Sequence, residues 1–122
     1  MKAYARSDRV AGLIRKTLST LLYQQIKDPR LDSATITAVK VTRDLKEARI
    51  YYISSGDISK RQDAAEGFKS AYGYVKRTLA HKLGLRYMPE LSFFYDESFD
   101  YGSKIDTILK SLALQEENAS DH

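Results

Sequence analysis

Histidines, cysteines and clustered carboxylates are the residues that most often do chemistry, and this chain of 122 residues has few of them. It has no cysteine, which removes disulfides, thiolate metal sites and cysteine nucleophiles. The two histidines, His81 and His122, are far apart, and no helix carries a pair at ligand spacing. Asp96, Glu97 and Asp100, with Ser98 and Ser103 nearby, form an acidic stretch. Its spacing is not that of a calcium loop, so it reads as a cap on a solvated loop. Gly56, Gly67, Gly73 and Gly84 never assemble a Gly-rich loop followed by Lys-Ser/Thr. No catalytic residue, metal ligand, cofactor or small-molecule substrate is expected, and the chain reads as non-enzymatic.

Positive charge is the chemistry that remains. Lys69, Lys76 and Arg77 flank Gly73, and Lys82 and Arg86 follow. Ser70, Ala71 and Gly73 are small enough to let a sugar-phosphate backbone come close. Tyr72 falls on an apolar stripe; Tyr74 falls off it and is free to stack on a base. A second group is Arg6, Arg9, Arg15 and Lys16, in which Arg9 and Lys16 are one heptad apart. Lys40, Arg43, Lys46 and Arg49 surround a hairpin. Tyr51 is either an exposed aromatic or packed under the C-terminal segment. The net charge of +4 is uneven: residues 1–90 carry 18 Lys/Arg against 9 Asp/Glu, and residues 91–122 carry 2 against 7. A basic body with an acidic tail suits a polyanionic partner, although a solvated surface explains any one of these cations alone.

The elements that must position these residues follow from periodicity. Val10, Leu13, Ile14, Leu18, Leu21, Leu22 and Ile26 mark an amphipathic helix from about Ser7, its expected N-cap, to Ile26. Asp28-Pro29 ends it. Ala34–Thr42 is β-branched and reads as a strand whose apolar phase shifts at Ala38-Val39, the mark of a bulge. A turn at Arg43–Lys46 leads to a second strand from Ala48 to Ile53. From Ser59 to Leu83 the period is helical through Ala65, Phe68, Tyr72, Val75, Leu79 and Leu83. Gly73 in its middle predicts a kink or break that exposes backbone N–H groups to a phosphate. Gly84 is a natural left-handed cap. Leu91–Asp96 is a third strand, and Ser103–Leu112 a last short helix. The expected class is α+β, a three-stranded sheet with helices on one face. One domain spans residues 1–112, and the acidic tail, 113–122, lacks apolar content and is expected to be disordered. No apolar run reaches membrane-spanning length and no signal-peptide pattern opens the chain, so a cytoplasmic protein is expected.

Several short patterns occur together and in order. They are Arg6-Ser7-Asp8-Arg9-Val10, Lys27-Asp28-Pro29-Arg30-Leu31 and Ile36 to Leu45 leading into Ala48-Arg49-Ile50-Tyr51. Then come Ser70-Ala71-Tyr72-Gly73-Tyr74-Val75-Lys76-Arg77, Leu85-Arg86-Tyr87-Met88-Pro89-Glu90-Leu91-Ser92-Phe93, and Tyr95-Asp96-Glu97-Ser98 with Gly102 and Ile105. Over about residues 5–110 the chain resembles the ribosome-binding factor A family. The resemblance implies a KH-like domain of the type II arrangement, α-β-β-α-kink-α-β, in which an Ala-centred kink replaces the usual GXXG loop. Ala71-Tyr72-Gly73 matches that kink. It also implies a monomeric protein that binds 16S rRNA on the free or precursor 30S subunit. Such a protein would assist late maturation and processing of the rRNA 5′ end, above all in the cold. Lys69, Ser70, Ala71, Gly73, Tyr74, Lys76, Arg77 and Lys82, with Arg6, Arg9, Lys16, Arg43 and Lys46, are the candidate RNA-binding residues. A KH-type module for other transcripts and a protein-interaction adaptor remain as alternatives.

Overall fold

The computed structural model describes residues 2–98, with side chains from residue 6 onward. Helix α1 spans Lys2–Gln24 and a 3-10 turn spans Pro29–Leu31. Strands β1 and β2 are Ala34–Val41 and Glu47–Ser54, helix α2 is Ile58–Leu83, and strand β3 is Glu90–Tyr95. The architecture is α+β, as expected. The Ser103–Leu112 helix and the 113–122 tail lie outside the described residues. Among the described residues no helix is long and apolar enough to cross a membrane.

The sheet runs β1-β2-β3, with β1 antiparallel and β3 parallel to the central β2. Tight turns can join antiparallel strands, but a parallel pair needs a crossover, and α2 supplies it. The register of β1 against β2 slips between Ile36 and Ala38, which places the expected bulge at Thr37. The bulged Thr37 donates to Asp96 Oδ2 at 2.6 Å, and Ser98 donates to Asp96 Oδ1 at 2.8 Å. Asp96 therefore ties the end of β3 to β1, and Glu97 pairs with Arg61. The acidic stretch is structural in these contacts.

Helix α1 buries Val10, Ile14, Leu18 and Leu21 on one stripe. Each fully buried side chain of this size contributes about 1.5–3 kcal/mol. Ser7 lies on the same stripe, is buried, and is inside the helix; it is not the N-cap. Capping preference is a weak local signal, and burial of Ser7 on the inner face outweighs it. The helix also stops at Gln24, earlier than Ile26. Asp28 then caps the 3-10 turn, accepting from Arg30 N at 3.0 Å while its carboxylate holds the Arg30 guanidinium at 2.7 Å.

Helix α2 starts one residue earlier than the periodicity suggests and is capped by Asp57, whose side chain accepts from Lys60 N at 3.2 Å. It ends at Gly84, which has φ 62 and gives its N–H to Ala80 O. Between these caps the helix is continuous. The break expected at Gly73 is absent, and with it the exposed backbone N–H groups. Glycine weakens a helix by about 1 kcal/mol, too little to interrupt one anchored on both sides of it by buried Phe68, Val75 and Leu79. Its inner face differs from the expected stripe at one point: Ala64 and Gly67 are buried, and Ala65 is exposed. Phe68 stacks on Phe93 (4.7 Å between centroids) and meets Tyr52 at 4.6 Å, which fixes α2 on β2 and β3.

Candidate RNA-binding surface

Both helices pack on the face of the sheet that carries Ile36, Ile50, Tyr52 and Leu91, so their outer sides look the same way. On α1 that side carries Arg9, Arg15 and Lys16, all exposed. On α2 it carries Lys69, Ser70, Gly73 and Arg77, also exposed. Lys69 and Arg77 have no carboxylate partner among the described residues. A Cβ on Gly73 would meet only Arg77 Nη1, at 3.2 Å, so the guanidinium lies across the glycine one turn away. Ser70, Gly73 and Arg77 thus form a low, cationic stripe in which the helix backbone is close to solvent.

The remaining candidates on α2 have other surroundings. Ala71 is half-buried and packs against the core. Tyr74 is 42% exposed and donates to Gln25 Oε1 at 3.2 Å, bridging α2 to the segment after α1. Lys76 is committed to Glu90, with Nζ to Oε2 at 3.0 Å, and lies 5.8 Å from the Tyr72 ring centroid. The Tyr72 hydroxyl donates to the other Glu90 oxygen. That hydroxyl bond, then Lys76, holds the Glu90 carboxyl below the usual carboxylate range, and the Glu90 bond raises Lys76. Burial, then Glu90, pushes the Tyr72 hydroxyl up. Lys82 is exposed in the last turn of α2, where a cation suits the negative end of the helix dipole.

Arg6, Arg43 and Lys46 are separate from these stripes. Arg43 and Lys46 stand exposed on the β1–β2 turn. Arg6 and Lys46, distant in sequence, line one cleft together with Arg86 and Tyr87. Arg86 counted in sequence only as added charge, and Tyr87 only as part of a motif. The available signal was an aromatic between the Gly84 cap and Pro89 that belongs to neither the helical nor the strand period. Tyr51 lies on the sheet face away from the helices, half-buried beside Phe94 (5.7 Å) with Lys40 Nζ 5.6 Å from its centroid. His81 is exposed, and no three His, Asp or Glu side chains converge among the described residues.

Comparison with known proteins places this arrangement. The family model described as ribosome-binding factor A matches residues 6–109. The ribosome-binding factor A of Desulfatibacillum aliphaticivorans is 57% identical over 112 residues, covering 92% of this chain and 91% of the relative. The crystal structure of ribosome-binding factor A from Thermus thermophilus shares the fold with a TM-score of 0.64 at 21% identity, over 73% of this chain and 94% of that one. A Thermus thermophilus ribosome-binding factor A homology model, fitted into a cryo-EM map of a 30S complex, has a TM-score of 0.60 at 22% identity, over 71% and 91%. A match across nearly all described elements, with more than half the residues identical in a relative covered almost end to end, means that this chain belongs to the non-enzymatic ribosome-binding factor A family.

Proposed function

We propose that the protein is a monomeric cytoplasmic assembly factor that binds 16S rRNA on the free or precursor 30S subunit. It assists late maturation and processing of the rRNA 5′ end, including during growth in the cold. The observation that carries this reading is the exposed stripe of Ser70, Gly73 and Arg77, with Lys69 beside it, on the same side as Arg9 and Lys16. Its cations neutralise phosphates, and the missing Cβ at Gly73 lets a sugar-phosphate backbone approach the helix. No bond is made or broken. The factor binds one arrangement of the RNA more tightly than another and shifts the population toward it. Family membership, and the 30S complex of the Thermus protein, support the choice of partner. Lys76 contributes differently: it pins Tyr72 and Glu90 and keeps β3 against α2.

Sedimentation of cell extract on a sucrose gradient, with immunodetection across the fractions, tests the reading. The protein is expected with free small subunits and absent from translating ribosomes. Protein found only at the top of the gradient at low salt would refute it.

A further inference from the structure

A cleft of about 550 Å³, within the usual range for small-ligand sites, opens between α1, the β1–β2 turn and the loop after α2. Its apolar lining is Leu45, Leu85 and Met88, each half-buried against the core. Leu45 has φ 60, a left-handed conformation that costs a non-glycine residue about 1–2 kcal/mol. A glycine would turn there without strain, but it would take one of the three apolar side chains, that of Leu45, out of the cleft. Around this lining stand Arg6, Lys46 and Arg86, all exposed and none paired with a carboxylate among the described residues.

The two carboxylates of the cleft are already occupied. Asp44 accepts from Thr42 Oγ1 at 2.6 Å and from Lys46 N at 3.1 Å. Glu90 is held by Tyr72 and Lys76. Tyr87 is 77% exposed, and its ring lies 5.4 Å from the Arg86 guanidinium carbon. An exposed aromatic face beside three cations that form no close ion pair among the described residues, with Asp44 near Lys46 offsetting part of their charge, and an apolar lining matches the three parts of a nucleotide: a π-face, a phosphate and a sugar edge.

We propose that this cleft takes one unstacked nucleotide of single-stranded RNA, its base on Tyr87 and its phosphate among Arg6, Lys46 and Arg86. The inference rests on the RNA-binding reading above and adds a second contact of different chemistry. The helix stripe meets backbone phosphates, whereas the cleft needs a free base. It therefore distinguishes single strands from duplexes, whose bases are already stacked.

Anisotropy titration of the full chain with a labelled single-stranded RNA, and with a blunt RNA duplex, tests this. Tyr87→Ala is expected to weaken single-strand binding about tenfold, the scale of one base–aromatic stack, and to leave duplex binding and Tm unchanged. Tyr87→Phe keeps the ring and retains the wild-type affinity. Arg6→Ala with Lys46→Ala flattens the salt dependence. Single-strand binding unchanged in Tyr87→Ala, but lost in Lys69→Glu/Arg77→Glu, would overturn the cleft and leave the helix stripe standing. Binding of an acidic peptide in the cleft, with no preference for single-stranded RNA, would overturn it as well. Wild-type protein that binds neither RNA at low salt would remove both readings.

Discussion

Helix α2 contains two glycines, Gly67 and Gly73, six residues and less than two turns apart, with opposite surroundings. A Cβ on Gly67 would lie 2.8 Å from both Leu31 Cγ and Leu31 Cδ2, and 3.3 Å from Arg30 Cβ. A Cβ on Gly73 would meet only the movable tip of Arg77. The first glycine admits the buried Leu31 of the 3-10 turn and knits the N-terminal half of α2 into the core. The second admits only the movable tip of Arg77, which can swing aside and leave the backbone accessible on the cationic stripe. In one place the missing side chain serves packing; in the other it is free to serve a partner.

The strongest attack on this contrast reverses charge on the open half. Lys69→Glu with Arg77→Glu should weaken binding to the small subunit about a hundredfold, the scale of two lost charge-assisted contacts, with Tm unchanged. Affinity by subunit pelleting and Tm by thermal melting check both parts; wild-type affinity would remove the stripe from the interface. Lys76→Glu behaves differently in the same assays, because it sets a second carboxylate beside Glu90 and lowers Tm too. In the packed half, Gly67→Ala forces Leu31 aside. The overpacking outweighs the gain in helix propensity, for a net loss of about 1–2 kcal/mol and a fall in Tm of roughly 4–8 °C. An unchanged Tm would show that Leu31 yields freely.

Gly73→Ala should act in the opposite direction. The helix gains about 1 kcal/mol and Tm rises by a few degrees, while subunit affinity falls as the added methyl holds the backbone away. A higher Tm with full affinity would show that close approach is not used at this position. The smallest effect is with pH. Asp28, Asp44 and Glu90 titrate below their ordinary range, chiefly through bonds from Arg30, Thr42 and Tyr72 respectively. Their folded-state pKa values lie below the unfolded ones. Their contribution is therefore present above the ordinary carboxylate range, about pH 4, and is lost as the pH falls through the depressed values. All three are on the surface, so a shallow decline in Tm on acidification, reduced by salt, is expected in a pH series.

Much of the scaffold was legible because it is written in local signals. The bulge in β1, which falls at Thr37, one residue before the expected Ala38-Val39 shift, and the left-handed Gly84 cap follow from short-range periodicity and turn chemistry. The misreadings share one cause, a weak local preference set against burial. Ser7 read as a cap and is an interior residue, and Gly73 read as a kink or break, of which the break does not occur, because the helix is held down on both sides of it. The Gly67 contact gave no local sign, since it depends on Leu31, 36 positions earlier.

The sequence by itself determined which elements form, where most of them end, and that the body of the chain is basic. Those properties arise from neighbours within a few residues, whose spacing is covalently set. The tertiary structure decided which cations are open and which are spent. Lys76 and Glu90 meet because the parallel β2–β3 pairing brings β3 back beneath α2, and Arg6, Lys46 and Arg86 gather because three separate elements close on one cleft. A side chain's availability to a partner depends on what the fold places beside it, and those neighbours are distant along the chain.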